Sequence, residues 1–377
     1  MFGLKFGGKS KKGIGIEITS EKVNLVQLRR KGQSSYKLVT YGSVELPEGT
    51  VEEGRILDPV ALGEVIRSLL ADKKIKVKKV ATALPGRETV SRLIRLPAEI
   101  PDIELREMVL NQEASLYLPF PREDADVDYQ KLGTALDDDG IERIEILMVA
   151  TPKEVTDSYM QALEIAQLQV DVVEVSSFAL IRAMHNELSR FSTLAEAVAI
   201  VDIEYEATEI TVTVDGVPQF SRTFPIGTAQ IQNAQLRAIN LPPRRTTDME
   251  MLSSTVVPVQ SMDTASLAGG GGTPGDAAIM RVVGDLSDEL RRSIDFYTSQ
   301  SPGSDVVQLL IAGPGACIGQ LNEFFSQRLG IAAIAVDPLT AVGVTVDMDI
   351  PIQERNGYVC CSRSRFEGGL KGRYVYT

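Results

Sequence analysis

Histidine and cysteine are scarce in this 377-residue chain: one histidine, His185, and three cysteines, Cys317, Cys360 and Cys361. A lone histidine inside the helical run "FALIRAMHNEL" builds neither a zinc centre nor a Ser-His-Asp triad. An odd cysteine total with two of them adjacent makes no disulfide framework and fits a reducing compartment. Long hydrophobic runs are missing too. No stretch approaches the ~20 apolar residues that span a bilayer, and "MFGLKFGGKSKKG" has no signal-peptide core. Positive charge is not in excess: the net charge is −12, which disfavours nonspecific attachment to nucleic acid. Cations are instead local. Lys5, Lys9, Lys11 and Lys12 surround Phe2, Leu4 and Phe6, which reads either as a frayed terminus or as a weak touch on an anionic membrane face. In "DKKIKVKK", alternation puts lysines on the wet side of an edge strand.

What is present reads as an α/β protein, 44% hydrophobic and 24% charged, with strand-period and helix-period segments in alternation. Its length suggests two to three domains. "KGIGIEI" and "KVNLVQL" are strands joined at Thr19-Ser20-Glu21; "SSYKLVTYGSVEL", a helical stripe on Leu62, Ile66 and Leu69, and the strand "KVATALPG" follow. A β-α-β-β-α block then reads as an insertion: "TVSRLIRLP", a helix on Leu105, Val109 and Leu116, "DVDYQKLG", "ERIEILMVA", and a helix on Val155, Tyr159 and Leu163. Pro119-Phe120-Pro121 marks its helix-to-strand corner. The prolines fix two backbone angles and remove two amide donors. Phe120 then either plugs the block's core or walls a groove. From Ala199 the chain echoes its opening: "AIVDIEYEATEITVTVDGVPQFSRTFPIG" is strand, polar turn, strand, Asp215-Gly216 hairpin turn and strand, with Val201-Asp202-Ile203 matching Ile16-Glu17-Ile18. Residues 253–278 read as a flexible loop around "SLAGGGGTPGDAA", the helix "VVGDLSDELRRSIDFYTSQ" follows, and 351–377 read as disordered.

An acid at a strand end before a tight turn presents a carboxylate to a metal–phosphate group while turn amides meet the phosphates. "EITSEK" (17–22) and "DIEYEA" (202–207) are two such ends, and the glycines of "AGPGA" (312–316) allow a ring or phosphate to approach backbone. With these in order, and with "ALPGRETVSRLIRLP", "NQEASLYLPFPREDADVDYQKLG" and "SDELRRSIDFYTSQ", the chain resembles the PilM family of type IV pilus assembly, within the actin-like ATPase superfamily.

That resemblance implies an actin-like (FtsA-like) two-lobed fold with an inserted SHS2-type subdomain: 1–86 and 168–198 in one lobe with a return at 336–350, 87–167 inserted, and 199–335 in the second lobe. It implies ATP or ADP with Mg2+ in the cleft, touched by Glu17, Thr19, Ser20, Lys22, Asp202, Glu204, Glu289, Arg292, Gly313 and Gly315, with Glu17 and Asp202 reaching the metal through the nucleotide. It implies a partner, the N-terminal cytoplasmic tail of the inner-membrane protein PilN, in a groove for which Leu118, Phe120 and Tyr129 are candidates. Other pilus inner-membrane proteins, and a cytoplasmic place at that membrane through them, follow from the same resemblance. The superfamily's usual Asp-Ile-Gly is here Glu17-Ile18-Thr19 and Asp202-Ile203-Glu204. A carboxylate ~4 Å from a phosphate costs about 4 kcal/mol at an effective dielectric of about 20, roughly a thousandfold in affinity unless a cation intervenes. Weak nucleotide binding and weak or absent hydrolysis are therefore expected. Glu206 and Glu209 are conceivable water-activating bases, though a solvated strand face explains them equally well. The rival readings are an active actin-fold ATPase or sugar-kinase relative, and a filament-forming protein like FtsA.

Overall fold

The computed structural model describes residues 12–31, 35–137, 139–191, 193, 195–257, 273–341 and 343–345. The basic segment before Lys12, the glycine run, and the tail with Cys360 and Cys361 lie outside the described residues.

The echo in the sequence becomes two sheets built alike. In the first, Ser35–Glu45, Lys22–Lys31 and Lys12–Ile18 form an antiparallel meander, and Lys79–Leu84 and then Gln169–Val175 add in parallel. In the second, Val217–Phe224, Thr208–Val214 and Glu196–Ile203 form the meander, and Asp305–Ala312 and Ala332–Ala335 add in parallel. The chain finally returns to the first sheet, where Val344–Thr345 pairs with the start of Ser35–Glu45. Lys79–Leu84 is thus an interior strand, and Lys73–Lys78 is the connection leading into it, where alternation suggested an edge strand.

Helix Pro59–Asp72 starts cleanly because Asp58 accepts hydrogen bonds from the Val60 and Ala61 amides and Pro59 needs no partner for an N–H. It buries Leu62, Ile66 and Leu69 on the first sheet. Beside it lies Lys153–Ile165, whose Val155, Tyr159 and Leu163 share that core with Ile14, Ile16 and Leu62. The sequence grouped this helix with the inserted block. An apolar stripe says that a helix is covered but not by which sheet, and here the first lobe covers it.

The inserted block is a three-stranded sheet with Glu142–Pro152 between Val90–Pro97 and Ala125–Leu136. The helical segment 102–117 closes it through Leu105, Val109 and Ala114 against Ile94, Ile144 and Ile146. One π turn, Met108–Glu113, interrupts that segment. Arg122, just past the proline corner, donates to the Leu110 carbonyl inside the π turn and to the Ala125 carbonyl at 2.9 Å, tying corner, helix and strand together.

Helices Thr228–Ala238, Pro274–Gln300 and Leu321–Leu329 cover the second sheet with Ile231, Val283, Leu290 and Phe325. Pro274–Gln300 starts within the stretch read as a loop. Thr273 and Asp276 cap it reciprocally: the Asp276 amide donates to Thr273 Oγ1 at 3.2 Å and the Thr273 amide to Asp276 Oδ2 at 2.8 Å. The short helix Met249–Ser254 likewise runs into the start of that stretch. A separate apolar cluster joins the pieces. Phe178, Leu180 and Met184 meet Val198, Ile200 and Leu310 of the second sheet and Leu147 and Val149 of the inserted one.

Candidate functional site

The two meanders put an acid at the same register. Glu17 opposes Asn24, Asp202 opposes Glu209, and each acid sits one residue before its strand ends. Both strand ends open onto one cleft of about 740 Å³, mouth included, lined by Glu17, Thr19, Ser20, Asp202 and Glu204 together with Gly86 and Ser176.

On the first wall, Asn24 Nδ2 donates to Glu17 Oε2 at 3.1 Å, and Ser43 Oγ donates to Asn24 Oδ1 at 2.9 Å. Thr19 serves its own turn. Its hydroxyl donates to the Lys22 carbonyl at 3.0 Å and accepts from the Lys22 amide at 3.1 Å. Lys22 Nζ lies 3.1 Å from Glu21 Oε1.

On the second wall an acid faces an acid, because Glu209 stands where the first has Asn24. Glu209 is buried and accepts from Ser221 Oγ at 2.7 Å and Ser176 Oγ at 3.3 Å, so it is no solvated face residue. A Cβ on Gly86 would overlap its carboxylate. Burial raises the Glu209 pKa, and the hydroxyls of Ser221, Ser177, Ser176 and Thr211 oppose that rise. Burial, then Glu17 and then Glu209, holds Asp202 well above the usual carboxylate range, and Asp202 Oδ1 has no hydrogen-bond partner among the described residues. Burial, then Asp202 and then Glu17, does the same to Glu204, against the pull of Lys22. Among the described lining residues Glu17, Asp202, Glu204, Glu206 and Glu209 are acids and Arg87 is the only cation; it lies 3.3 Å from Glu53.

The Glu204 turn is built into the neighbouring helix. The Thr228 amide donates to the Glu204 carbonyl at 2.8 Å and the Ala229 amide to the Tyr205 carbonyl at 2.9 Å, so two of the donors at that helix start already have partners. Gly313 backs the same wall with φ of 76°; a Cβ there would stand 2.6 Å from the Ile203 carbonyl oxygen and 2.7 Å from Asp202 Oδ1. Gly315 packs on the Ile203 side chain. These glycines therefore shape the strand end rather than line the cleft. Glu289 and Arg292 are not among the lining residues either: they pair with each other, and Glu289 also takes Arg222 at 3.1 Å. Among the described residues no group of three or more His, Cys, Asp or Glu side chains is placed to hold a metal ion. Mg2+, which keeps water and phosphate oxygens as ligands, would depend on the nucleotide for its site.

Sequence reasoning missed the residues that cross the cleft mouth. Glu21 is buried and accepts from both the amide and, at 3.1 Å, the hydroxyl of Thr247 in the other lobe. The Glu53 amide donates to Glu206 at 3.0 Å, and Arg245 pairs with Glu48. Such contacts join residues up to 226 positions apart, and no local pattern announces them. At the proline corner, Leu118 and Tyr129 pack against the inserted core, whereas Phe120 is half-buried and outside that apolar cluster.

Two like sheets, each ending an inner strand in an acid at a shared cleft, define an actin-like ATPase fold. The family model for type IV pilus assembly protein PilM matches residues 15–247, and the chain belongs to that family. It is similar to the solved "PilM-PilN type IV pilus biogenesis complex", with 25% identity, 88% of this chain and 90% of that one covered, and a TM-score of 0.70. Ethanolamine utilization protein EutJ from Carboxydothermus hydrogenoformans shares the fold at 13% identity, 89% and 88% coverage and a TM-score of 0.52. MreB5 of Spiroplasma citri, solved bound to AMPPNP, shares it at 9% identity, 89% and 94% coverage and a TM-score of 0.51. No described helix is long and apolar enough to cross a membrane.

Proposed function

We propose that this chain is a scaffold of type IV pilus assembly that holds the N-terminal cytoplasmic tail of PilN, with the interlobe cleft as a nucleotide site of low affinity. The observation that carries the reading is the whole-chain likeness, at a TM-score of 0.70, to a PilM solved in complex with PilN. The candidate seat for the tail is the proline corner, where Arg122 holds the backbone and Phe120 stays half-buried with no place in the adjoining core. An extended peptide docks on such a surface by backbone pairing and by pockets for alternate side chains.

The cleft suits a nucleotide in outline but not in charge. Glu17 and Asp202 occupy the two strand ends, yet three further acids line the space and Lys22 is drawn to Glu21. A polyphosphate entering there needs Glu204 neutralised by a proton or a cation. No reaction step is assigned to the site. Titrating a labelled PilN tail peptide into the full chain, with and without ATP and magnesium, tests the proposal. Saturable binding of similar strength in both arms supports it. No binding in either arm sinks the partner assignment, and micromolar nucleotide affinity with steady phosphate release sinks the low-affinity cleft.

A further inference from the structure

The first lobe is electrically polarised along its strands. Lys12–Ile18 starts with a cation and reaches Glu17 near its end; Ser35–Glu45 has Lys37 near its start and ends at Glu45. Lys22–Lys31 runs the other way and finishes in Arg29-Arg30-Lys31. The ladder sets Lys12 opposite Arg29 and Arg29 opposite Lys37. Lys79–Leu84 lies parallel to Lys12–Ile18, so the connection Lys73–Lys78, which starts with Lys73 beside Gly42 in the cleft-side half of Ser35–Glu45 and carries Lys74 and Lys76, arrives at this same end at Lys78. All four are exposed, as are Lys79 and Arg29. Asp72 lies 3.6 Å from Lys73 and Asp171 lies 3.1 Å from Lys79. Lys74, Lys76 and Lys78 form no ion pair with any described residue.

Like charges directly opposite one another in a ladder destabilise a sheet. Here they are gathered at one end of a chain whose net charge is −12, while the acids of the cleft occupy the other end. Four neighbouring strands about 4.8 Å apart make the band roughly 15 Å wide. A broad sheet end of this kind matches a plane of many fixed anions better than it matches one small ligand.

We propose that this end of the first lobe rests on the surface of an anionic bilayer, with Lys74, Lys76 and Lys78 as contacts and the cleft at the far end of the sheet. The proposal depends neither on PilN nor on nucleotide. It is tested by sedimenting the full chain with vesicles of phosphatidylcholine alone or with one-third phosphatidylglycerol, at low and high salt. The comparison is the triple variant Lys74→Glu, Lys76→Glu, Lys78→Glu, with Lys→Gln at the same positions should the first fold poorly and a thermal melt to check each. The expected result is binding to the anionic vesicles about tenfold stronger than to the neutral ones, lost at high salt and weakened about tenfold in the variant. Equal binding to both vesicles, or an unaltered affinity in a folded variant, overturns the proposal. Tighter binding to a DNA duplex than to the anionic vesicles also overturns it, in favour of a nucleic acid.

Discussion

Exchanging Glu204 for glycine removes the side chain whose charge Asp202 and Glu17 oppose, while the turn's backbone bonds to Ala207 and Thr228 can persist. Isothermal titration with ATP and magnesium, at a pH above the raised Glu204 range where its carboxylate is ionised, should find the Glu204→Gly variant binding about 100- to 1000-fold tighter than the parent, the range expected from one opposed charge near a phosphate, and less so at lower pH. An unchanged affinity would place the obstacle elsewhere in the cleft. The same carboxyls set a pH dependence. Asp202, Glu204 and Glu209 all have folded pKa values raised above the ordinary carboxylate range, chiefly by burial. The native state therefore keeps their protons to higher pH than the unfolded chain does. Their stabilising contribution is complete below the ordinary range and is lost as pH rises through the raised values. Calorimetry should show a melting temperature that falls as pH rises above the ordinary carboxylate range, with a shallower fall in Glu204→Gln.

Among the elements, helix Lys153–Ile165 is held by the first lobe through Tyr159, which is fully buried yet has no hydrogen-bond partner for its hydroxyl among the described residues. Tyr159→Phe should therefore leave stability unchanged or raise it by about 1 kcal/mol, since it removes an unsatisfied buried group, whereas Tyr159→Ala should cost about 3–5 kcal/mol through the cavity it leaves. Denaturant melts of the two variants separate these effects. The proline corner behaves differently. Phe120 is half-buried and outside the inserted core, so Phe120→Ala should cost about 1 kcal/mol, well below a core truncation, while weakening PilN-tail binding about tenfold. A loss of about 3–5 kcal/mol with unaltered peptide affinity would make Phe120 a core plug instead.

At the scale of the whole molecule, the lobes are joined twice. Below the cleft they share the apolar cluster around Phe178 and Met184; above it they meet through Glu21 with Thr247, Glu53 with Glu206 and Glu48 with Arg245. The lower junction excludes water and resists separation, while the upper one consists of polar contacts that water can replace. Opening should therefore pivot on the cluster. Glu21→Ala removes the acceptor of the Thr247 amide and leaves the Thr247 hydroxyl only its Thr228 Oγ1 contact at 3.0 Å. Small-angle scattering should then register an increase on the order of 1 Å in a radius of gyration of about 21 Å. An identical scattering curve would show that the upper contacts do not hold the lobes closed.

The echo of one meander in another was legible in the sequence because strand period and turn chemistry are local: "EITSEK" and "DIEYEA" announce hairpins whose acids fall at equal register. The Thr-Pro-Gly-Asp start of Pro274–Gln300 was local as well, but the glycine run beside it masked the capping signal. What no window of sequence could supply was which covered face meets which sheet, and which charges meet across the gap. Asn24 and Glu209 hold the same position in their hairpins, yet one steadies an acid and the other crowds one. The chain by itself determined its strands, its turns and the acids at their ends, since backbone geometry acts over a few residues. The tertiary structure decided the crowding of acids in the cleft and the home of helix Lys153–Ile165, because burial and Coulomb forces act through space between segments far apart in the chain.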